Sequence, residues 1–241
     1  MNEYNIKEYI EWSKLIDIIK KRTGMSYETG HTHKDHNGLS LNGKLPYSIS
    51  EYEFNYMKDF ILKYNLKNGY ELATGTGISG ISIGWALGEN GGKLITVDSY
   101  LEEEEQIQPT NNINLSEINN ALDRNKSLFE KLNLKNVFVY KSFSPDCYDI
   151  LDDNFDEIDF VFLDCPKNIE DFIRDTSILK DRLSDEYVIF VHDTHCFPQD
   201  FITKSREIFG VDGEFIHDFT TNNGYIKQRF PLGIITNIKY R

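Results

Sequence analysis

The sequence predicts an α/β fold: a doubly wound, mostly parallel sheet of seven strands, finished by a C-terminal antiparallel hairpin. Three observations predict it. From Tyr70 onward short apolar runs alternate with stretches of helical periodicity. Several of these runs are apolar on consecutive residues, as strands covered on both faces must be. The stretch from Glu214 to Ile238 has two strand-like segments and no helical pattern, which is how a hairpin reads.

In chain order, Tyr9, Trp12, Ile16 and Ile19 recur at helical spacing and mark an amphipathic helix that ends near Gly24. Glu28 to Lys44 is rich in Gly, His, Asn and Asp and reads as a loop or lid. Ser50 followed by Glu53 has the spacing of a capping box, with Phe54, Met57, Ile61 and Tyr64 then falling on one face. Asn68-Gly69 is expected to close that helix. Strands are expected at Tyr70–Ala73, Leu94–Val97, Val137–Tyr140, Ile158–Leu163, Tyr187–Val191 and Leu232–Ile235. Helical patterns lie between them at Ile81 to Leu87, at Leu115 to Leu132, over Ile169, Phe172, Ile173, Leu179 and Leu183, and over Phe201, Ile202, Ile208 and Phe209. Thr220–Gly224 is expected to turn the hairpin. Residues 1–48 therefore read as a helix and lid-like loop, and 49–241 as one domain.

A chain of 241 residues, 39% hydrophobic and 27% charged, is long enough to bury roughly 70–75% of its unfolded surface. Its core needs no staples. The formal net charge of -13 repels a polyanion, and no Lys/Arg cluster overrides it, so nucleic acid is not expected as a partner. Cys147, Cys165 and Cys196 are odd in number and lack CxxC spacing, against a disulfide framework or structural zinc. Met1 to Lys20 lacks the uninterrupted apolar core of a signal peptide, and no run approaches the ~20 residues of a membrane span. Cytoplasm and no membrane partner are the expectation. Glu102 to Glu105 reads as a solvated acidic loop.

The most informative stretch is Glu71-Leu-Ala-Thr-Gly75-Thr-Gly77-Ile-Ser-Gly80, between the first core strand and the next helix. Glycines let the backbone turn sharply and approach a ligand. The following strand ends in Asp98, placed to accept hydrogen bonds from both hydroxyls of a ribose. Glu71 then separates the adenosine-bearing cofactors. A carboxylate here opposes the pyrophosphate of a dinucleotide at the helix N-terminus but favours a cationic sulfonium and ammonium. This stretch, with Asp98, resembles motif I of class I S-adenosylmethionine-dependent methyltransferases, although Ala73 stands where the first glycine is usual. The resemblance implies a Rossmann-like methyltransferase fold with S-adenosylmethionine held by Glu71, Thr74, Gly75, Gly77, Ser79, Asp98 and Ser99. It further implies Ser142 and Phe143 beside the adenine, and Asp164 at the cofactor.

Two more strands end in aspartate, at Asp164 and at His192-Asp193-Thr194-His195. In a doubly wound sheet these carboxyls converge at the C-terminal edge, where paired oxygens suit a hard cation such as Mg²⁺. Asp164-Cys-Pro-Lys167 has the spacing of catechol-type, metal-dependent O-methyltransferases. That resemblance implies Asp164, Asp193 and Thr194 (in an asparagine's place) as metal ligands and Lys167 as the base that deprotonates a small-molecule hydroxyl. His192-Asp-Thr also resembles small-molecule and sugar methyltransferases. A homodimer is compatible with this class. The competing readings are a nicotinamide-dependent oxidoreductase, which Glu71 disfavours, and a non-catalytic module of the same fold. His31, His33 and His36 match no ligand spacing and read as incidental to a polar loop. Cys165 and Cys196 read as packing residues.

Overall fold

The computed structural model describes Leu15, Asp17, Ile49 and residues 27–28, 45–46, 51–99, 121–166, 168–216 and 232–239. Most of the expected N-terminal helix, the loop at 29–44, the acidic run at 102–105, Lys167 and the 220–224 turn lie outside the described residues.

Two short strands, β1 (Tyr27–Glu28) and β2 (Leu45–Pro46), pair in parallel. The main domain follows with α1 (Glu51–Tyr64), β3 (Asn68–Leu72), α2 (Ile78–Glu89) and β4 (Lys93–Asp98). Next come α3 (Ala121–Lys131), β5 (Val137–Lys141), α4 (Asp149–Asp152) and β6 (Ile158–Leu163). Then α5 (Ile169–Lys180), β7 (Leu183–Val191), α6 (Pro198–Phe209), β8 (Glu214–Ile216) and β9 (Leu232–Thr236) complete it. The seven-stranded sheet has the order β5-β4-β3-β6-β7-β9-β8. Strands β3 to β7 are parallel to their neighbours, and β9 runs antiparallel to both β7 and β8. The expected fold class, including the antiparallel finish, is what the chain adopts. Among the described residues no helix is long and apolar enough to cross a membrane.

Period-two alternation divides the core between the sheet's faces. Phe160, Phe162, Val188 and Phe190 pack on one face with Phe54, Met57, Phe60 and Ile61 of α1 and Ile81 of α2. Val161, Leu163, Ile189 and Val191 pack on the other with Phe172 and Leu179 of α5 and Phe201 of α6.

Two boundaries differ from expectation, each for a local reason. Asn68 and Gly69 open β3 instead of closing α1, whose chain turns at Asn65 in the left-handed region (φ 55). Asp159 fixes the strand's start by accepting from the backbone N–H of Lys67 and of Asn68, each at 2.8 Å. Leu183 belongs to β7, not to the preceding helix. Arg182 ends α5 by donating its N–H to Leu179 O (2.8 Å), and its guanidinium grips both oxygens of Asp152 at 2.7 and 2.8 Å.

Candidate functional site

The site is built by strand register. Leu72 pairs with Val97 and with Leu163, and Leu163 pairs with Val191. The residues just beyond therefore leave the sheet at one level, and the ladder continues through them: Ala73 N–H donates to Val97 O (2.8 Å), Asp164 N–H to Leu72 O (3.0 Å) and His192 N–H to Leu163 O (2.8 Å). Between β3 and β6 the strand order reverses, and that is where an open α/β sheet forms its ligand crevice.

The β3–α2 loop needs left-handed backbone at Ala73 (φ 79), Gly75 (φ 49) and Gly77 (φ 82). Gly77 caps α2. Gly80 is required by contact: a Cβ there would lie 2.9 Å from Phe129 Cζ and 3.1 Å from Glu71 Oε2. The loop is clamped from two sides. Asp98 Oδ2 accepts the Gly75 N–H at 2.7 Å, while Asn125 Nδ2 (2.9 Å) and an Arg124 nitrogen (3.2 Å) donate to Gly75 O. Ala73 holds the left-handed conformation against the clash of its own Cβ, which costs roughly 1–2 kcal/mol. Ala73→Gly is expected to stabilise the fold by about 0.5–1 kcal/mol once the greater chain entropy of glycine is subtracted. Urea unfolding checks this; a destabilised variant would show that the methyl makes packing contacts worth more than the strain.

Glu71 was expected to favour a cationic ligand. It is fully buried, on the α2 face of β3, and both oxygens are engaged. Ser79 Oγ donates to Oε1 and Thr96 Oγ1 to Oε2, each at 2.5 Å, and Thr96 also bonds Thr74 Oγ1 at 2.7 Å. Burial pushes the Glu71 carboxyl up to about 8, against the two hydroxyl hydrogen bonds, with Asp164 and Asp98 adding to the rise. Glu71 is thus the centre of a polar strut joining β3, β4 and α2. The hydroxyls of Thr74 and Ser79, expected at the cofactor, are committed to that strut.

Asp164 and His192 lie on the α1 side of the sheet by the alternation that places Phe162 and Phe190 there. His192 Nδ1 is 2.8 Å from Asp164 Oδ1 and 3.3 Å from Asp193 Oδ1, and its Nε2 is 3.5 Å from Glu53 Oε1. Phe60 and Tyr56 dock edge-on to Phe190 with ring centroids 5.6 and 6.0 Å apart, which carries Glu53, one turn earlier on the same stripe, over the imidazole. Glu53 was expected to form a capping box with Ser50, which lies outside the described residues; its carboxylate faces His192. Burial alone would push His192 down, but Asp164 and Glu53 outweigh it and hold its pKa well above the usual histidine range. Asp193 takes a left-handed backbone (φ 58) at the turn. Of the three expected metal ligands, Asp164 and Asp193 come together. Thr194 is fully buried, with its methyl close enough to Gly233 that a Cβ there would sit 2.7 Å away.

Ser142 N–H donates to Asp98 O at 3.1 Å, so the chain after β5 borders Asp98. Phe143 is 45% exposed, a surface ring and not a core one. Ser99 follows Asp98 and is half-buried. Cys147 is a buried thiol and Cys165 a half-buried one: burial pushes Cys147 up to about 11 and raises Cys165 further. Neither is a thiolate at neutral pH; Cys196, expected to pack, is instead exposed. Residues missed by sequence reasoning are Asn125 and Arg124 at the glycine loop, and Glu53 at the acid cluster. Asn125 had a signal, since it precedes Leu128, Phe129 and Leu132 on α3's apolar stripe.

No curated protein matches the chain in sequence. Among solved structures, the O-methyltransferase from Bacillus cereus in complex with SAH aligns with a TM-score of 0.56 at 14% identity, covering 94% of this chain and 90% of that one. The O-methyltransferase TomG from Streptomyces achromogenes, in complex with SAM, gives 0.55 at 14% identity over 78% and 80% of the two chains. The precorrin-6y C5,15-methyltransferase from Geobacter metallireducens gives 0.50 at 18% identity over 78% and 88%. These likenesses are of fold. The methyltransferase domain family matches residues 71–194, from the buried acid of β3 through the acid cluster after β7. That segment contains the glycine loop, Asp98, Asp164 and Asp193, and with it the chain belongs to the methyltransferase domain family.

Proposed function

We propose that the chain transfers a methyl group from S-adenosylmethionine to a hydroxyl of a small molecule. The observation that carries this reading is the clamped loop at the sheet's reversal point, where Asp98 holds Gly75 N–H at 2.7 Å. A strand-end carboxylate of this kind accepts from ribose hydroxyls, as the resemblance to motif I implies, with Ser99, Ser142 and Phe143 beside the adenine. Thr74, Gly75 and Gly77 supply the loop under the methionine moiety, with Ser79 in the first turn of α2 bracing it through Glu71. The concentration of acids at this edge favours a ligand carrying a sulfonium and an ammonium. Glu71, raised to about 8 by burial, keeps its proton at neutral pH and contributes through the strut, not by direct pairing. The SAM- and SAH-bound neighbours support the cofactor. Membership of the methyltransferase family removes the nicotinamide-dependent alternative.

The acceptor is proposed to be a phenolic or sugar hydroxyl rather than nucleic acid, given the net charge of -13. Asp164 and Asp193 fit a divalent cation such as Mg²⁺, because an oxygen of each lies within 4.8 Å of the other and of a ring nitrogen of buried His192. When bound, such an ion lowers the pKa of a coordinated hydroxyl. Lys167, three residues after Asp164, is proposed to take the hydroxyl proton; alignment at near-attack distance does the rest. The cytoplasm is the proposed location, supported by three free cysteines.

S-adenosylmethionine at about 100 times its Kd is expected to raise the melting temperature by roughly 5–10 °C. Incubation with a panel of catechols and sugars should then release S-adenosylhomocysteine, and Lys167→Met should stop release while cofactor affinity stays unchanged. A melting curve indifferent to the cofactor would overturn the proposal.

A further inference from the structure

We propose that His192 is itself a metal ligand, oriented by Glu53, and that the site therefore selects Mn²⁺ or a similar borderline cation over Mg²⁺. This rests on the proposed function for its purpose, but its coordination chemistry stands apart from it.

The first observation is an orphaned atom. The His192 side chain is only 5% exposed, and its Nδ1 is buried without a hydrogen bond. Asp164 Oδ1 and Asp193 Oδ1 stand 2.8 and 3.3 Å away as charge partners. A buried ring nitrogen left this way needs an explanation, and a coordinated ion is one.

The second observation is spacing. Ligand atoms of Asp164, His192 and Asp193 all lie within 4.8 Å of one another. Adjacent ligands of an octahedral ion, at right angles and about 2.1 Å from the metal, are separated by about 3 Å. The two distances to Nδ1 bracket that value. Three donor groups this close are spaced as neighbours in one coordination sphere would be.

The third is the far side of the ring. A metal-bound histidine nearly always gives its other N–H to a carboxylate, which sets the tautomer and the ring's direction. Nε2 faces Glu53 Oε1 at 3.5 Å, and Glu53 is itself buried. A cation bound between Asp164 and Asp193 would displace the Nδ1 proton that these acids hold, while Nε2–H stays with Glu53. Glu53 is a positioning residue, since it reaches the acid cluster through the imidazole.

Metal preference follows from the donors. Mg²⁺ favours oxygen and water, whereas imidazole nitrogen suits the first-row transition ions. A set of two carboxylates and one imidazole keeps oxygen character but rewards a cation that accepts nitrogen. Mn²⁺ meets both demands.

The chelator-stripped full chain, titrated with MnCl2 by calorimetry, should bind one Mn²⁺, on the order of tenfold more tightly than MgCl2 measured by competition. Pulsed electron paramagnetic resonance of the bound Mn²⁺ should show coupling to one imidazole nitrogen. His192→Gln is expected to lower Mn²⁺ affinity about 100-fold and abolish that coupling; Glu53→Gln should lower affinity about tenfold and retain it. S-adenosylmethionine binding, measured on the same samples, should stay within about threefold, which separates lost ligation from lost folding. Absence of Mn²⁺ binding, bound Mn²⁺ without nitrogen coupling, or equal affinity for Mg²⁺ would each overturn the inference. Nitrogen-coupled Mn²⁺ on a chain that ignores S-adenosylmethionine would uphold it and sink the methyltransferase proposal instead.

Discussion

Asp98→Ala is expected to weaken S-adenosylmethionine binding by about 100-fold or more. The carboxylate has two tasks. It accepts the Gly75 N–H at 2.7 Å and so fixes the loop, and it is the proposed acceptor for the ribose hydroxyls. Hydrogen bonds to a charged group contribute about 1.5–3 kcal/mol each, so losing two of them corresponds to roughly two to four powers of ten. Asp98→Asn separates the tasks. Its amide oxygen can still accept from Gly75, while its weaker, half-donor end serves the ribose poorly, and a loss of about tenfold is expected. Calorimetry on the three proteins decides; an alanine variant within threefold of the parent would remove Asp98 from the cofactor site.

Glu71→Gln is expected to stabilise the protein by about 3 kcal/mol or more at pH 8 and by less than about 1 kcal/mol at pH 5. The folded carboxyl is pushed up to about 8 by burial, from an ordinary value of 4.5. Below the ordinary value both folded and unfolded chains keep the proton, and Glu71 imposes no penalty. As pH rises toward 8 the unfolded chain gives up its proton first, so stability falls throughout that window. A difference of about 3.5 pH units corresponds to roughly 5 kcal/mol at its limit, and imperfect amide hydrogen bonding offsets part of the gain. Glutamine suits the strut: its oxygen can accept from Ser79, and its amide can donate to Thr96, which then donates to Thr74. Urea unfolding at the two pH values tests this, and an equal difference at both would show that Glu71 holds no proton in the folded chain.

The sheet was legible in the sequence because strands buried on both faces leave apolar runs that surface segments do not. Asp98, Asp164 and Asp193 were legible for a related reason, each being the first acid after such a run. What the pattern could not show was direction. Glu71 reads the same whether its carboxylate meets a ligand or two hydroxyls, and only the approach of Ser79 and Thr96 decides it. Thr194 reads as a ligand by position in the motif, and the pattern gave no sign that its methyl packs toward Gly233. Glu53 and Asn125 reach the site from helices far away in the chain. Each sits on an apolar helical stripe, beside Tyr56 and Phe60 or beside Leu128 and Phe129, and a polar residue on a buried stripe was their only mark. Leu183 was misassigned because an apolar residue at helical spacing continues a pattern that the backbone has already left.

The peptide of Gly75 is held at its nitrogen by one strand's acid and at its oxygen by a distant helix's amide. A loop rich in left-handed residues would ordinarily pay for its shape when a ligand arrives, yet here the shape is imposed beforehand by partners that no ligand needs to displace. The entropy of ordering is spent during folding and not at encounter. Association should then run at the rate of a rigid surface, with affinity differences among nucleoside analogues expressed chiefly in how slowly they leave.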